Sequence, residues 1–195
     1  MPKNFFTALD EIGFLYAQDI YVNGYTDDLL DDDFQTETVK HIKKVIDHTY
    51  SVGKPDKLVF FSVGDEINAG TIDRTDKNHP SEKSYEGKHI KLTDGTPSEV
   101  AIAKLIDTAM SYEEERYGIK HLYTHTSWTH IGPVADRPDL EVSDDTLFFA
   151  DFADVICMNV YTYARGVKTS PCGSVTGRSY QGYMKTLSRF HTNRT

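Results

Sequence analysis

The sequence has few cysteines and no long apolar run, and each shortage excludes a class of protein. Its 195 residues contain two cysteines, Cys157 and Cys172, without the paired spacing of a zinc site, so a disulfide-rich or cysteine-ligated scaffold is excluded. Cys157 lies in an apolar segment and Cys172 in a Gly/Ser/Pro segment, which leaves a disulfide between them open. No segment approaches the ~20 consecutive apolar residues of a membrane span, so none is expected.

Basic residues are also in the minority, with 21 Lys and Arg against 30 Asp and Glu and a formal net charge of −9. Because a phosphate backbone attracts Lys and Arg, no nucleic-acid partner is expected. Acidic residues crowd the segment 27–33, which is typical of a solvated loop, whereas residues 155–195 contain no Asp or Glu. His121, His125 and His130 match no zinc spacing, so neither a metal nor another cofactor is predicted.

No Gly-x-Gly-x-x-Gly motif follows a strand, so the sequence gives little support to a dinucleotide-binding domain. Apolar segments instead alternate with segments of helical period. We predict strands at about 14–21, 57–62, 119–124 and 154–161, helices between and after them, and a long polar loop at 68–96. This alternation is typical of an α/β fold with a parallel sheet, either open and doubly wound or part of a barrel.

Polar and aromatic residues lie where the predicted strands end, which favours the barrel, because such barrels carry their chemistry at the carboxyl ends of the strands. These residues are Asp19, Asp65, Glu66, Trp128 and Tyr161.

One of these strand ends resembles a known motif. Gly64-Asp65-Glu66-Ile67-Asn68 after an apolar strand is similar to the Gly-Asn-Glu acid/base motif that closes the fourth barrel strand of clan A glycoside hydrolases. Residues 8–16 resemble the clan's second helix and third strand, and residues 154–161 its sixth strand. The resemblance spans nearly the whole chain. It implies a partial TIM (β/α)8 barrel, one incomplete catalytic domain over residues 1–195 that covers about strands three to six.

The resemblance also implies an activity, the retaining hydrolysis of a β-linked poly- or oligosaccharide by a pair of carboxylates. Glu66 would be the general acid/base, and the nucleophile would be a Glu at the end of strand seven, for which residues 155–195 offer no candidate. We therefore expect a fragment of a longer coding region, truncated at both ends and inactive alone. A secreted or periplasmic location is expected for the full-length protein.

Six further residues are candidate sugar ligands, and several have structural alternatives. Asp19 can instead be a structural cap, Trp128 can pack in the core, and Glu66 itself can be an exposed loop acid. The candidates are Asp65, Tyr161, Trp128, Asp19, His125 and Asn68.

Asp65 stands where the clan usually has Asn, which indicates either a subgroup with a distinct substrate or a weakened site. A non-catalytic carbohydrate-binding or degenerate barrel protein is the main alternative function. An unrelated α/β enzyme with an open, doubly wound sheet is the third.

Overall fold

A computed structural model describes residues 2–128, 157–163 and 179–192 of the chain. In these ranges, strands alternate with helices. The helices are α1 (Lys3–Glu11), α2 (Asp32–Val52), a 3-10 turn (Pro55–Lys57), α3 (Ala69–Asn78), α4 (Pro97–Tyr117) and α5 (Ser179–Thr192). The strands are β1 (Tyr16–Ile20), β2 (Leu58–Asp65), β3 (Tyr85–Glu86), β4 (Lys91–Leu92), β5 (Leu122–Trp128) and β6 (Cys157–Asn159). No helix in these ranges is long and apolar enough to cross a membrane.

Four strands form one parallel sheet in the order β1-β2-β5-β6, so sequential strands are neighbours with the β3-β4 hairpin set apart. Helix α2 contacts β1, α4 contacts β2 and β5, and the two helices pack against each other. The described strands therefore show no reversal of order, which a doubly wound sheet requires. The α/β class is confirmed, and the arrangement is compatible with part of an α/β barrel.

Both long helices begin at side-chain caps, and their apolar stripes cover one face of the sheet. Asp31 accepts a hydrogen bond from the backbone of Phe34 at the start of α2. Thr96 and Glu99 form a reciprocal capping box at α4, which ends at Gly118 in the left-handed conformation (φ 72°). The core lies between these helices and the sheet, and its fully buried members include Ile20, Ile42, Ile46, Phe61, Val63, Ile102 and Ile106.

The segment 68–96, predicted as a loop, contains α3 and the β3-β4 hairpin, so that prediction is wrong. The buried face of α3 consists of Thr71, Ile72 and Thr75. Because two of the three are threonines, the sequence shows no apolar stripe at helical spacing. The Thr71 hydroxyl donates to the Thr26 carbonyl (2.8 Å), and the Thr75 hydroxyl accepts from the Leu29 backbone (2.9 Å). These hydrogen bonds satisfy the buried hydroxyls, so a helix with a polar sequence becomes part of the core.

The strand bounds also shift. β5 ends at Trp128 rather than near residue 124, and β2 extends to Asp65, while residues 154–156 of the fourth predicted strand lie outside the described residues. The sequence at the end of β5 is polar, but this segment pairs with both β2 and β6. A hydrogen bond of 2.6 Å also joins the hydroxyls of Ser62 and Thr126. Cross-strand pairing therefore outweighs the polar composition of this segment.

At the amino-terminal end of the sheet, a fully buried carboxylate links α4, α2 and β5. Glu113 accepts hydrogen bonds from the Tyr50 hydroxyl (2.7 Å), the Tyr123 hydroxyl (3.0 Å) and the His121 backbone (2.9 Å). The His121 ring lies between Glu113 (Nδ1, 2.6 Å) and the Pro55 carbonyl (Nε2, 2.9 Å). Because both ring nitrogens meet acceptors, both donate, and His121 is an imidazolium.

The pKa values of this pair follow from its contacts. Burial acts to raise the pKa of Glu113, but the hydrogen bonds from His121 and Tyr50 outweigh it, so this pKa is lowered from 4.5. Burial acts to lower the pKa of His121, but Glu113 raises it above 6.5. The contribution of Glu113 to stability is lost as pH falls through its lowered pKa, and that of His121 as pH rises through its raised one. The pair therefore stabilises the fold most between these two folded-state pKa values, with its full contribution from about 4.5 to 6.5.

We predict that Glu113→Gln lowers the free energy of unfolding by about 3–5 kcal/mol near pH 5.5, because it leaves a buried imidazolium without its counter-charge. Urea unfolding monitored by circular dichroism measures the change. The matched control is Glu115→Gln on the exposed side of α4, which should change stability by less than about 0.5 kcal/mol. Equal losses in the two variants would contradict the description of the pair.

Candidate functional site

The candidate site begins where β2 ends, at a turn that only some residues tolerate. Gly64 has φ +81°, a conformation that favours glycine, and a Cβ there would crowd the His125 ring at 3.1 Å from Nδ1. Glu66 also adopts a left-handed conformation (φ 52°), and its backbone N–H donates to the Thr126 carbonyl (3.1 Å). A glutamate rarely occupies this region, and such outliers concentrate at functional positions.

The Glu66 carboxylate is held by two residues from the end of β6. Its Oε1 accepts from the Asn159 side-chain amide (3.0 Å) and from the Tyr161 hydroxyl through a short hydrogen bond. Among the described residues, Oε2 has no hydrogen-bond partner. The hydrogen bond to Glu66, with burial second, raises the pKa of Tyr161 to about 12, so the phenol stays a donor. The structure thus brings Tyr161, predicted as a sugar ligand, to the carboxylate of Glu66.

Asp65 and Glu66 are joined by a single amide. Nδ2 of Asn159 donates to Asp65 Oδ1 (2.8 Å) as well as to Glu66, so its two hydrogens bridge neighbouring carboxylates. Burial, and then the negative charge of Glu66, raise the pKa of Asp65 against the opposing hydrogen bond from Asn159. Asn159 was not among the predicted site residues. It lies near the end of a predicted strand, and the other candidates were selected by the same position.

Asp19 faces the same region from β1. With Asp65 it lines an open cavity of about 490 Å³ on the sheet face opposite α2 and α4. Burial, and then the negative charge of Asp65, raise the pKa of Asp19 to about 6. Its carboxylate has no hydrogen-bond partner in the described part of the chain, so it is not a cap. The cavity lining comprises Ala17, Asp19, Phe60, Ser62, Asp65, Thr126, Cys157, Met158 and Asn159.

Three other predicted ligands have structural contacts instead. His125 is 1% exposed, and its Nδ1 donates to the Val63 carbonyl (2.9 Å), so its ring lies in the core and not on the cavity surface. Because β5 runs on to Trp128, alternation turns His125 to the helix-covered face. The Asn68 side chain caps α3 by accepting from the Gly70 backbone (2.9 Å). Trp128 packs against the core, and its indole donates to the Ile67 carbonyl (3.2 Å), which secures the backbone after Glu66.

No group of three or more His, Cys, Asp or Glu in residues 2–128, 157–163 and 179–192 is arranged to hold a metal ion. Of the three histidines considered for a metal, His121 binds Glu113, His125 is buried, and His130 lies outside the described residues. Cys157 is half-buried in β6, and Cys172 also lies outside the described residues.

We predict that Asp19 titrates near pH 6 and that Asp65→Asn lowers its pKa, because the substitution removes a neighbouring negative charge. Carboxyl carbon chemical shifts followed against pH by NMR measure both values. Asp56→Asn, in the turn before β2 at the other end of the sheet, is the matched control and should leave Asp19 unchanged. An Asp19 pKa near 3.8 in the wild type would refute the geometry given for the cavity.

Comparison of the chain with protein-family models, with curated proteins and with solved structures finds no match. The α/β fold therefore stands on the structure alone, with its parallel sheet and alternating helices. The relation to clan A glycoside hydrolases stays a prediction from the quoted motifs. Function has to be argued from the chemistry around Glu66.

Proposed function

We propose that the sheet edge around Glu66 is the acid/base half of a retaining glycoside hydrolase active site for β-linked carbohydrate. The observation that carries the proposal is the arrangement of the Glu66 carboxyl group. Oε1 accepts two hydrogen bonds, from Asn159 and Tyr161, while Oε2 has no partner among the described residues. A protonated carboxyl group with its proton on Oε2 keeps both hydrogen bonds, because Oε1 is then the carbonyl oxygen and still accepts.

The proposed reaction uses Glu66 twice. Its Oε2 proton passes to the glycosidic oxygen as the bond to the anomeric carbon breaks and a carboxylate nucleophile forms the glycosyl-enzyme. Oε2 then takes a proton from the water that attacks the same carbon and releases the sugar. Asn159 and Tyr161 hold Oε1 in both steps. The oxygens of Asp65 and Asp19 are available to bind sugar hydroxyl groups.

The nucleophile has to lie roughly 5–5.5 Å from Glu66 for retention. The resemblance implies a Glu at the end of the strand after β6, and residues 155–195 contain no Asp or Glu. The proposal therefore concerns the acid/base member of a catalytic pair, Glu66.

A second candidate is a non-catalytic carbohydrate-binding protein that uses the same surface. The absence of carboxylates after Asp154 favours it, as does Asp65 at the position where the resembling motif has Asn. In this case Glu66 would only accept hydrogen bonds from a bound sugar. The two candidates differ in whether Glu66 ever transfers a proton.

Chemical rescue tests the acid role. We predict that the chain alone does not turn over phenyl β-glycosides, but that azide at high concentration restores turnover. Azide attacks the anomeric carbon in place of the missing carboxylate while Glu66 protonates the departing phenol. Glu66→Gln should lower the azide-dependent rate about 10²–10⁴-fold. Chromatography measures phenol release, and NMR identifies the expected α-glycosyl azide.

The leaving group supplies an internal control. A dinitrophenyl group departs without protonation, so Glu66→Gln should affect the dinitrophenyl glycoside much less than the phenyl glycoside. Glu82→Gln, an exposed residue between α3 and β3, should change neither rate. Equal losses for both leaving groups would exclude the acid role. Sugar binding without azide-dependent turnover would favour the non-catalytic candidate, and turnover without azide would show that the chain already has a nucleophile.

A further inference from the structure

We infer that His125 is a positioning residue for Glu66, because its imidazole holds a bulge in β2 that directs the acid/base residue to the candidate site. The consequence for catalysis rests on the proposed function, whereas the effect on the geometry of the turn does not. The His125 ring lies in the core, directly behind the turn that leads to Glu66. It would therefore act on the reaction through the backbone and not by contact with a sugar.

The pairing between β2 and β5 is interrupted opposite His125. The partners on either side of the interruption are Ser62 with Thr124 and Asp65 with Thr126. Two residues of β2, Val63 and Gly64, therefore lie opposite the single residue His125 of β5, which is the arrangement of a β-bulge. Bulges are frequent next to active sites, where they redirect a side chain.

The bulge decides which face of the sheet Asp65 occupies. In an uninterrupted strand alternate residues share a face, so Ser62 and Asp65 would lie on opposite faces. Both instead line the cavity on the face opposite α2 and α4. The extra residue therefore reverses the alternation just before Asp65 and Glu66. The backbone N–H of Glu66 then donates to the Thr126 carbonyl (3.1 Å), so the candidate site depends on this register.

The His125 side chain fixes the bulge through two contacts. Its Nδ1 donates to the Val63 carbonyl (2.9 Å), so a side chain supplies a donor where the backbone pairing is interrupted. The ring also packs against Gly64, where a Cβ would lie 3.1 Å from Nδ1 and 3.3 Å from Cε1. Burial lowers the pKa of His125 to about 4, so the ring is neutral above that pH. Because the Val63 carbonyl can only accept, the single N–H of the neutral ring is on Nδ1.

The other ring nitrogen indicates that packing alone does not explain a histidine at this position. Nε2 is buried and has no hydrogen-bond partner in the described part of the chain. A buried polar atom without a partner costs free energy, and a leucine would fill similar space without that cost. The imidazole of His125 thus loses stability at Nε2 while Nδ1 secures the bulge. This pattern is expected where the geometry of a site takes precedence over stability.

Amide hydrogen exchange measured by NMR tests the effect on the turn without any assumption about function. We expect His125→Leu to accelerate exchange at the Glu66 amide about tenfold or more, because the Val63 carbonyl loses its donor and the turn opens more often. His125→Asn should restore slow exchange, since its side-chain N–H can take the place of Nδ1. Exchange at Ile42 in α2 and at Ile102 in α4 should change much less than exchange at Glu66.

Ser127→Ala is the matched control, because it removes another buried polar group from the same face of β5, two residues beyond His125. It should leave exchange at Glu66 unchanged. Circular dichroism shows whether each variant folds. If His125→Leu does not fold, His125→Gln replaces it, because the longer amide reaches the Nε2 position and leaves the Nδ1 position without a donor. Unchanged exchange at Glu66, or equal acceleration at Glu66 and in both helices, would overturn the inference.

Azide-dependent turnover tests the consequence for the acid role. His125→Leu should lower the rate for the phenyl glycoside about ten- to a hundredfold relative to the dinitrophenyl glycoside, because only the phenyl group needs protonation by Glu66. His125→Asn should recover most of this loss. A variant that was merely less folded would lose both rates equally, and an unchanged ratio of the two rates would refute the positioning of the acid.

The two measurements separate the inference from the proposed function. If the wild-type chain shows no azide-dependent turnover, the acid role of Glu66 fails, and exchange at the Glu66 amide still decides whether His125 holds the turn. If turnover is present and depends on Glu66 but neither exchange nor the rate ratio responds to His125→Leu, the proposed function stands and the positioning role fails.

Discussion

The parallel hydrogen bonds that join β2 to β1 on one side and to β5 on the other determine where the polar groups of the candidate site lie. Alternation along β2 sends Phe61 and Val63 into the core and Ser62 to the opposite face. The left-handed turn at Gly64 then delivers Asp65 and Glu66 to the sheet edge. Because the neighbouring strands run in the same direction, their final residues reach the same edge, and a single group of side chains forms there.

The two ends of this sheet hold their carboxylates in different surroundings. At the amino-terminal end, the buried Glu113 has a charged partner in His121 and two tyrosine donors, so its charge is fully compensated and joins three elements. At the carboxyl-terminal end, the donors to Asp65 and Glu66 within the described residues are neutral, and Asp19 has none there. A satisfied network rigidifies a fold, whereas uncompensated charge costs stability and is characteristic of functional sites. The difference separates the stabilising end of the sheet from the end proposed to bind ligand.

The contact between β6 and the turn after β2 gives Asp65 a consistent structural role. Two adjacent carboxylates would repel each other, and the Asn159 amide lies between them as a shared donor. The resembling motif has its amide directly before the acid/base residue, whereas here the amide comes from another strand. One amide thereby satisfies one oxygen of each of the two carboxylates.

Much of the fold was predictable because its signals are local. Apolar residues at helical spacing indicate helices α2 and α4, and short apolar runs indicate the four parallel strands. Helix α3 was not predicted because Thr71 and Thr75 are polar residues. They enter the core only when their hydroxyls form hydrogen bonds with backbone groups of the loop before α2. Likewise, His125 was predicted to be a sugar ligand because the polar end of β5 gave no indication that pairing with β2 and β6 extends the strand.

The sequence by itself determined the alternation of strands and helices and the position of Glu66 after an apolar strand. Periodicity acts between residues a few positions apart, so it can be recognised along the chain. Only the tertiary structure decided which oxygen of Glu66 is held, that Asn159 bridges two carboxylates, and that Asp19 shares a cavity with Asp65. The physical reason is distance along the chain: the donors to Glu66 lie 93 and 95 positions from it, and only the folded sheet brings them together.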